Sequence, residues 1–436
     1  MNKRFVFGIG LLLCALFGYS ILLTASEPEP AKLHHVSSEV CANCHAEIYR
    51  QWRGSMHAQS TALSDPIHEV FYRQEVGDPR QEGMKHLQSG TFPICLQCHA
   101  PNAAIDQTTK LDAHTAYSEG VNCVACHTLA RFKGTQGDDG ELLRVGMQAY
   151  ERSEVLQGPL GMNNALADLL ASSDDLFGGA GLAVSDSQRP NPHLGAPVTL
   201  DGKTIPALSM EGNPRLMKSS DICMGCHDQR NNPHGVPLCQ TGDEFRASGS
   251  QVTCLSCHMP INAGLADHSM PGGHIPSMVA RGVLFDVDVE RAGDTLQTTV
   301  TLKNPLPHAM PTGAPFRNVY FKLMAYDSSG TLLWQNAEGH PSQDDPQAYL
   351  SYALADADGQ PAPPPTATQP GDDTRLQPHE ERNLVYEIPA SGVVLVRGEL
   401  YYNLLWPSLV ERFSHLPKEL TDPMQIAVAE RLITSE

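Results

Sequence analysis

Five pentapeptides of the form Cys-x-x-Cys-His punctuate this chain: Cys41-Ala-Asn-Cys44-His45, Cys95-Leu-Gln-Cys98-His99, Cys123-Val-Ala-Cys126-His127, Cys223-Met-Gly-Cys226-His227 and Cys254-Leu-Ser-Cys257-His258. This is the attachment pattern of c-type haem. Two thiols add to the vinyl groups of one porphyrin, and the adjacent imidazole reaches the iron as proximal ligand. The two intervening residues make one turn, which sets both sulfurs and the ring against the same porphyrin. Zinc and thiol-redox sites share the Cys-x-x-Cys part, but neither requires a histidine directly after it. With 19 histidines in 436 residues, five coincidences in five have a chance probability on the order of 10⁻⁷. Of the 12 cysteines, only Cys14 and Cys239 fall outside the motifs.

The motifs lie within residues 41–258, about 44 residues per motif. That is too little chain to build a separate protein core around each porphyrin. Five haem c groups must therefore share walls and form much of the core themselves. Aromatic residues are only 6% of the chain, and porphyrins would supply the missing flat apolar surface. The short intervals between motifs two and three and between four and five predict two tightly packed pairs beside a single first site. Residues 131–220 separate motifs three and four and read as a long loop or lid, with one short helix around Leu166–Leu170.

Residues 1–26 carry Lys3 and Arg4 and then an apolar run, which predicts a signal peptide or an N-terminal membrane anchor. Either implies export to the periplasm or cell exterior, with a tether through residues 5–24 in the anchor case. Cys14 reads as a buried apolar residue of that run. A polar linker, 27–37, leads into a pentahaem domain, 38–278. The formal net charge of −19 argues against nucleic-acid binding and suits redox partner proteins with a basic docking surface.

From residue 279 the pattern changes. Val283, Phe285, Val287 and Val289 alternate with polar neighbours, Ala292-Gly293-Asp294 signals a turn, and Leu296, Val300 and Leu302 alternate again. Strand-like runs follow at Val319–Tyr326, Thr331–Trp334, Asn383–Ile388 and Val393–Leu400, interrupted by a Pro- and Asp-rich loop, 356–373. A short helix is expected over Pro407–Phe413. The predicted architecture is α plus irregular structure around the haems, followed over 279–436 by an antiparallel β-sandwich.

Several segments resemble the cytochrome c-554-like group of multihaem cytochromes. They are Trp52-Arg-Gly-Ser-Met-His57-Ala58, Gly120-Val121-Asn122, Ser219-Ser220-Asp221, Cys257-His258-Met259-Pro260 with His268 and Gly272-Gly273-His274, and Asn304-Pro-Leu-Pro-His308-Ala-Met-Pro311-Thr312-Gly313. The resemblance covers about residues 38–326 well. It implies electron carriers, often with two histidines on each iron, and some four-haem relatives polymerise into extracellular filaments.

Fourteen histidines remain beyond the five motifs, more than five second axial ligands require. The resemblance points to His57 first. His308 follows, presented by a backbone stiffened by Pro305, Pro307 and Pro311, and it would lock the β-domain onto the haems. His274, His268, His114 and His193 are further candidate distal ligands. His234, His86 and His68 read as surface or supporting groups, and His34, His35, His340, His379 and His415 as solvent-facing. Cys239 reads as a buried thiol, with a thiolate beside a haem as the sharper alternative. The expected function is electron transfer. One alternative is an oxidoreductase with one open haem acting on a small inorganic nitrogen or sulfur substrate. Another is a self-assembling filament subunit, that is, a homo-oligomer.

Overall fold

The computed structural model describes residues 32–160, 191–262 and 264–434. The expected N-terminal anchor, Cys14 and the helix around Leu166–Leu170 lie outside these residues. Among the described residues no helix is long and apolar enough to cross a membrane.

The first part of the molecule is built from helices of one to three turns joined by irregular chain. All five motifs sit on or beside such turns: Ser38–Ala42, Leu96–His99, Cys123–His127, Asp221–His227 and Cys254–His258. Local chemistry starts the turns. Ser37 accepts from the Glu39 N–H, and Asn122 accepts from the Ala125 N–H at 3.0 Å, so each caps an N-terminus whose donors have no helical partner.

The interval between motifs three and four is not a bare loop where it is described. It carries short ladders, Leu129–Phe132 with Tyr150–Arg152 and Leu156–Gly158 with Met210–Gly212. Gly146 takes φ +58° and lets the chain pass directly against the Gln97 carbonyl inside motif two.

The C-terminal part contains nine longer strands: β1 (Leu284–Ala292), β2 (Thr295–Lys303), β3 (Asn318–Tyr326), β4 (Leu332–Gln335), β5 (Tyr349–Ala355), β6 (Gln369–Asp373), β7 (Glu381–Pro389), β8 (Leu395–Asn403) and β9 (Met424–Leu432). They form two antiparallel sheets. One has the order β1-β2-β7; the other runs β6-β5-β3-β8-β9 with β4 on the edge of β3. The predicted hairpin is β1–β2, in register from Leu284 opposite Lys303 to Ala292 opposite Thr295. Val287, Leu296 and Val300 from one sheet join Phe321, Leu323, Val396 and Leu400 from the other in one buried cluster. A Cβ at Gly398 on β8 would stand 2.8 Å from the Phe285 ring and from Val287, so this glycine sets how closely the sheets approach. Two strands exceed the expectation, β5 and β9, and β6 falls inside the predicted loop. The short helix appears at Pro407–Arg412.

A buried ionic junction ties the two parts together. Glu244, on the helix Thr241–Ala247 between motifs four and five, pairs with Arg375 at 2.7 Å, and both side chains are only 8% exposed. The other Glu244 oxygen accepts from the Ala309 N–H and the Thr312 hydroxyl, while Arg375 also grips Asp373. A second tether is Asn232, whose amide donates to the carbonyls of Pro364 and Ala367.

Candidate haem-binding site

Every cysteine and histidine of the five motifs lines one continuous cavity of about 2950 Å³. An ordinary small-molecule site holds about 300–1,000 Å³, so this space suits several large flat groups held together. The described walls are mainly short helices and loops, with Trp52, Tyr72, Tyr150 and Tyr402 among the lining aromatics.

Burial prepares the imidazoles to act as ligands. It drives His57, His227, His68 and His274 down to about 4 and holds His99 well below the usual range. All are therefore neutral at physiological pH, which is the metal-binding form. Carbonyl oxygens fix which ring nitrogen is free. Nδ1 of His127 meets Gln157 O at 2.8 Å, His258 meets Pro271 O at 2.7 Å, His193 meets Leu208 O at 2.8 Å, His268 meets Ala266 O at 2.8 Å and His308 meets Ala309 O at 2.9 Å. With the proton on Nδ1, each leaves the Nε2 lone pair available.

Two imidazole pairs have the spacing of a shared metal. His45 and His193 lie 6.1 Å apart between ring centroids, and His57 and His227 lie 6.0 Å apart. Metal–nitrogen bonds of about 2.0 Å on opposite sides of one ion put imidazole centroids about 6 Å apart. His268 lies within electrostatic reach of His127, and His258 within reach of His308. His99 differs. Its ring sits 4.0 Å from that of His68, tilted by 38°, and both donate to the same Ser60 carbonyl.

Among the candidate distal ligands, His57, His193, His268, His274 and His308 all line the cavity. His114 does not: it is exposed and stacks on His35 at 4.4 Å, because its backbone starts the surface turn Thr115–Ser118. His68 and His86, read as supporting or surface groups, do line the cavity, whereas His234 is exposed away from it. His34 and His35 are drawn into a half-buried cluster around Asp106 instead of facing solvent. His340 is partly buried against Tyr320 and caps a helical turn. Cys239 lines the cavity, and burial pushes its thiol pKa up.

Neighbouring sulfurs reveal which motifs adjoin. Cys41 contacts Cys123, Cys223 contacts Cys254, and Cys98 contacts Cys226; hydrogen bonding to the partner is the leading cause of each thiol's shift. In the mature protein these atoms would be thioethers. Motif three therefore abuts motif one and motif two abuts motif four, contacts the intervals did not indicate. Motifs two and three adjoin through the buried Asn102 amide, which donates to Asn122 at 2.9 Å, and motifs four and five adjoin as well. The Ser38 hydroxyl accepts from the Cys123 N–H at 3.3 Å, and the Ser220 hydroxyl accepts from the Cys254 N–H at 3.1 Å. Each serine lies three residues before the first cysteine of its own motif, so the two pairings are built alike.

Several supporting residues carried no motif. Tyr150 donates to the carbonyls of Asp221 and Ile222 and accepts from the Gly225 N–H, pinning the turn of motif four. Asn304 donates to the carbonyls of His308, Leu376 and Gln377 and so holds the proline-rich loop.

The thiols, neutral imidazoles and cavity together fit covalent haem, and comparison with known proteins points the same way. A family model described as cytochrome c554 and c-prime matches residues 40–128. The crystal structure of a penta-heme cytochrome c552 from Thermochromatium tepidum is 64% identical, with a TM-score of 0.85, over 92% of this chain and 100% of that one. The chain belongs to this family of multihaem c-type cytochromes. A second solved chain, from Shewanella sp. pv-4, covers 28% of this chain and 74% of its own at 15% identity, with a TM-score of only 0.15. No curated protein matches.

Proposed function

We propose that this protein transfers electrons through five covalently bound haem c groups. The observation that carries the reading is the single cavity onto which all five Cys-x-x-Cys-His turns open. Haem supplies the one-electron chemistry. The chain's part is to attach the porphyrins, close the irons with neutral imidazoles and exclude water.

His45, His99, His127, His227 and His258 act as proximal ligands. His193 opposite His45 and His57 opposite His227 have the spacing of axial pairs. His268 serves the iron of His127 and His308 that of His258, which their free Nε2 atoms support. Residues 279–436 form a β-sandwich domain, supported by the two sheets that share one core, and residues 38–278 form the pentahaem domain. The acidic chain meets redox partners through basic surfaces. Export suits covalent haem attachment; residues 1–26 are either a signal peptide removed on export or an anchor that tethers the protein through residues 5–24.

A second reading concerns one iron. Among the described residues the imidazole nearest His99 is His68, whose ring lies 4.0 Å away, closer than in the two axial pairs, with both rings held by the same Ser60 carbonyl. This close spacing supports a reading in which His68 stays off that iron and leaves it open to a small inorganic ligand. Reductive titration of the purified protein checks the first reading, with five electrons per chain expected; fewer than five haems by intact mass would overturn it. Low-temperature electron paramagnetic resonance checks the second. Four low-spin signals and one high-spin signal that responds to carbon monoxide on reduction are expected, and five low-spin haems with no response would refute it.

A further inference from the structure

Outside the haem cavity the described residues contain one group of potential metal ligands, His34, His35 and Asp106. The two imidazoles come from the 3₁₀ turn Leu33–His35 and the carboxylate from the end of the helix Pro101–Ile105. Their ligand atoms all lie within 4.8 Å of one another. His34 Nε2 stands 2.8 Å and His35 Nε2 2.6 Å from the same carboxylate oxygen, Asp106 Oδ2. The Tyr117 hydroxyl reaches that oxygen as well and lies 3.0 Å from His35 Nε2. Three donor groups thus converge on one oxygen atom. A cation seated among the two imidazole nitrogens and Oδ2 would take all three as ligands, with the Tyr117 hydroxyl still donating to Oδ2.

We propose that these three residues bind a divalent transition cation, with zinc as the best-matched ion. Two neutral nitrogens and one anionic oxygen form a borderline donor set that suits zinc and is unsuited to calcium or magnesium. The side chains are 12%, 23% and 19% exposed, so the site is open enough to load and sheltered enough to retain an ion. Tyr117 and His114, the latter stacked on His35 at 4.4 Å, orient the ligands from behind. Lys32 occupies the other carboxylate oxygen at 3.3 Å, which leaves Oδ2 for the metal. Lys32 and Arg152 are the nearby cationic groups that oppose the ion. The bound cation would clip residues 34 and 35 to residue 106, holding the start of the described chain against the body of motifs one to three.

Calorimetric titration of the chelator-treated haem protein with zinc chloride tests this. One equivalent should bind with Kd at or below about 10 µM, and Asp106→Asn and the His34→Gln, His35→Gln pair should each weaken it at least tenfold with an unchanged haem spectrum. X-ray absorption of the wild-type zinc form should show two imidazoles and one carboxylate oxygen at about 2.0–2.2 Å. That measurement decides the matter alone if the variants fold poorly. Absence of saturable zinc uptake by the wild type at about 1 mM, equal affinity in the folded variants, or a different ligand set would overturn the proposal.

Discussion

At Ser60 a single carbonyl oxygen orients two imidazoles, His68 and His99, while the hydroxyl of the same residue donates to the carbonyls of His57 and His99. One turn therefore governs three of the cavity's histidines. Gly120 supports it from the other side. It has φ +67°, and a Cβ there would strike the His57 carbonyl and the Ser60 side chain, while the next N–H, of Val121, donates to that same carbonyl at 2.9 Å. Gly120→Ala should lower stability by about 1–3 kcal/mol and shift the paramagnetic signal of the His57-ligated haem; an unchanged melting temperature and spectrum would refute this coupling. Tyr150→Phe removes one oxygen that serves two carbonyls and the buried Gly225 N–H, with an expected loss of about 1–3 kcal/mol in thermal unfolding. His57 was legible because Trp52 to Ala58 form a recognisable run. Ser60 was not, because its main contribution is a backbone carbonyl, which no side-chain identity encodes. His34 and His35 read as solvent-facing because Asp106, their partner, is more than seventy residues away in sequence.

Among the elements, the hairpin β1–β2 was readable because one face of each strand is buried and the other wet, so hydrophobicity alternates. β5 escaped because Tyr349-Leu-Ser-Tyr-Ala-Leu-Ala355 is covered over nearly its whole length and carries no period. In β9 the alanines at 427 and 429 blur the contrast between faces. The junction helix Thr241–Ala247 carries the strongest prediction at this scale. Glu244→Ala leaves the buried Arg375 facing apolar surroundings on one side, and a loss of about 3 kcal/mol is expected; a change under 0.5 kcal/mol in denaturant unfolding would show that the ion pair is not structural. Acid should loosen the same junction. Burial alone would raise the pKa of Asp373, but Arg375 holds it below the ordinary value. The stabilisation is therefore complete above about pH 4 and fades as pH falls through the depressed folded value. Asp373→Asn should melt below the wild type at pH 6, and the gap should narrow as the pH falls below about 4.

Across the whole molecule, the formal charge of −19 is spread over 436 residues, with the haem propionates still to be added. Electron exchange with a cationic protein partner should slow steeply as ionic strength rises from about 10 to 300 mM, and stopped-flow rates independent of salt would contradict electrostatic docking. The number of haem sites and their covalent attachment were legible from five short motifs. Their arrangement in space was legible only in part: the short intervals pointed to motifs two with three and four with five, but nothing in the intervals reports that one abuts three or two abuts four.

That interleaving bears on how the protein is made. Motif one leans on motif three, whose first cysteine follows its own by 82 residues, and Ser38 caps the turn of that later motif. A chain delivered N-terminus first presents its first attachment site long before the wall that will cover it has been synthesised. A haem attached at motif one before motif three has folded would lack part of its wall, so a variant that cannot fold motif three should also expose the first haem.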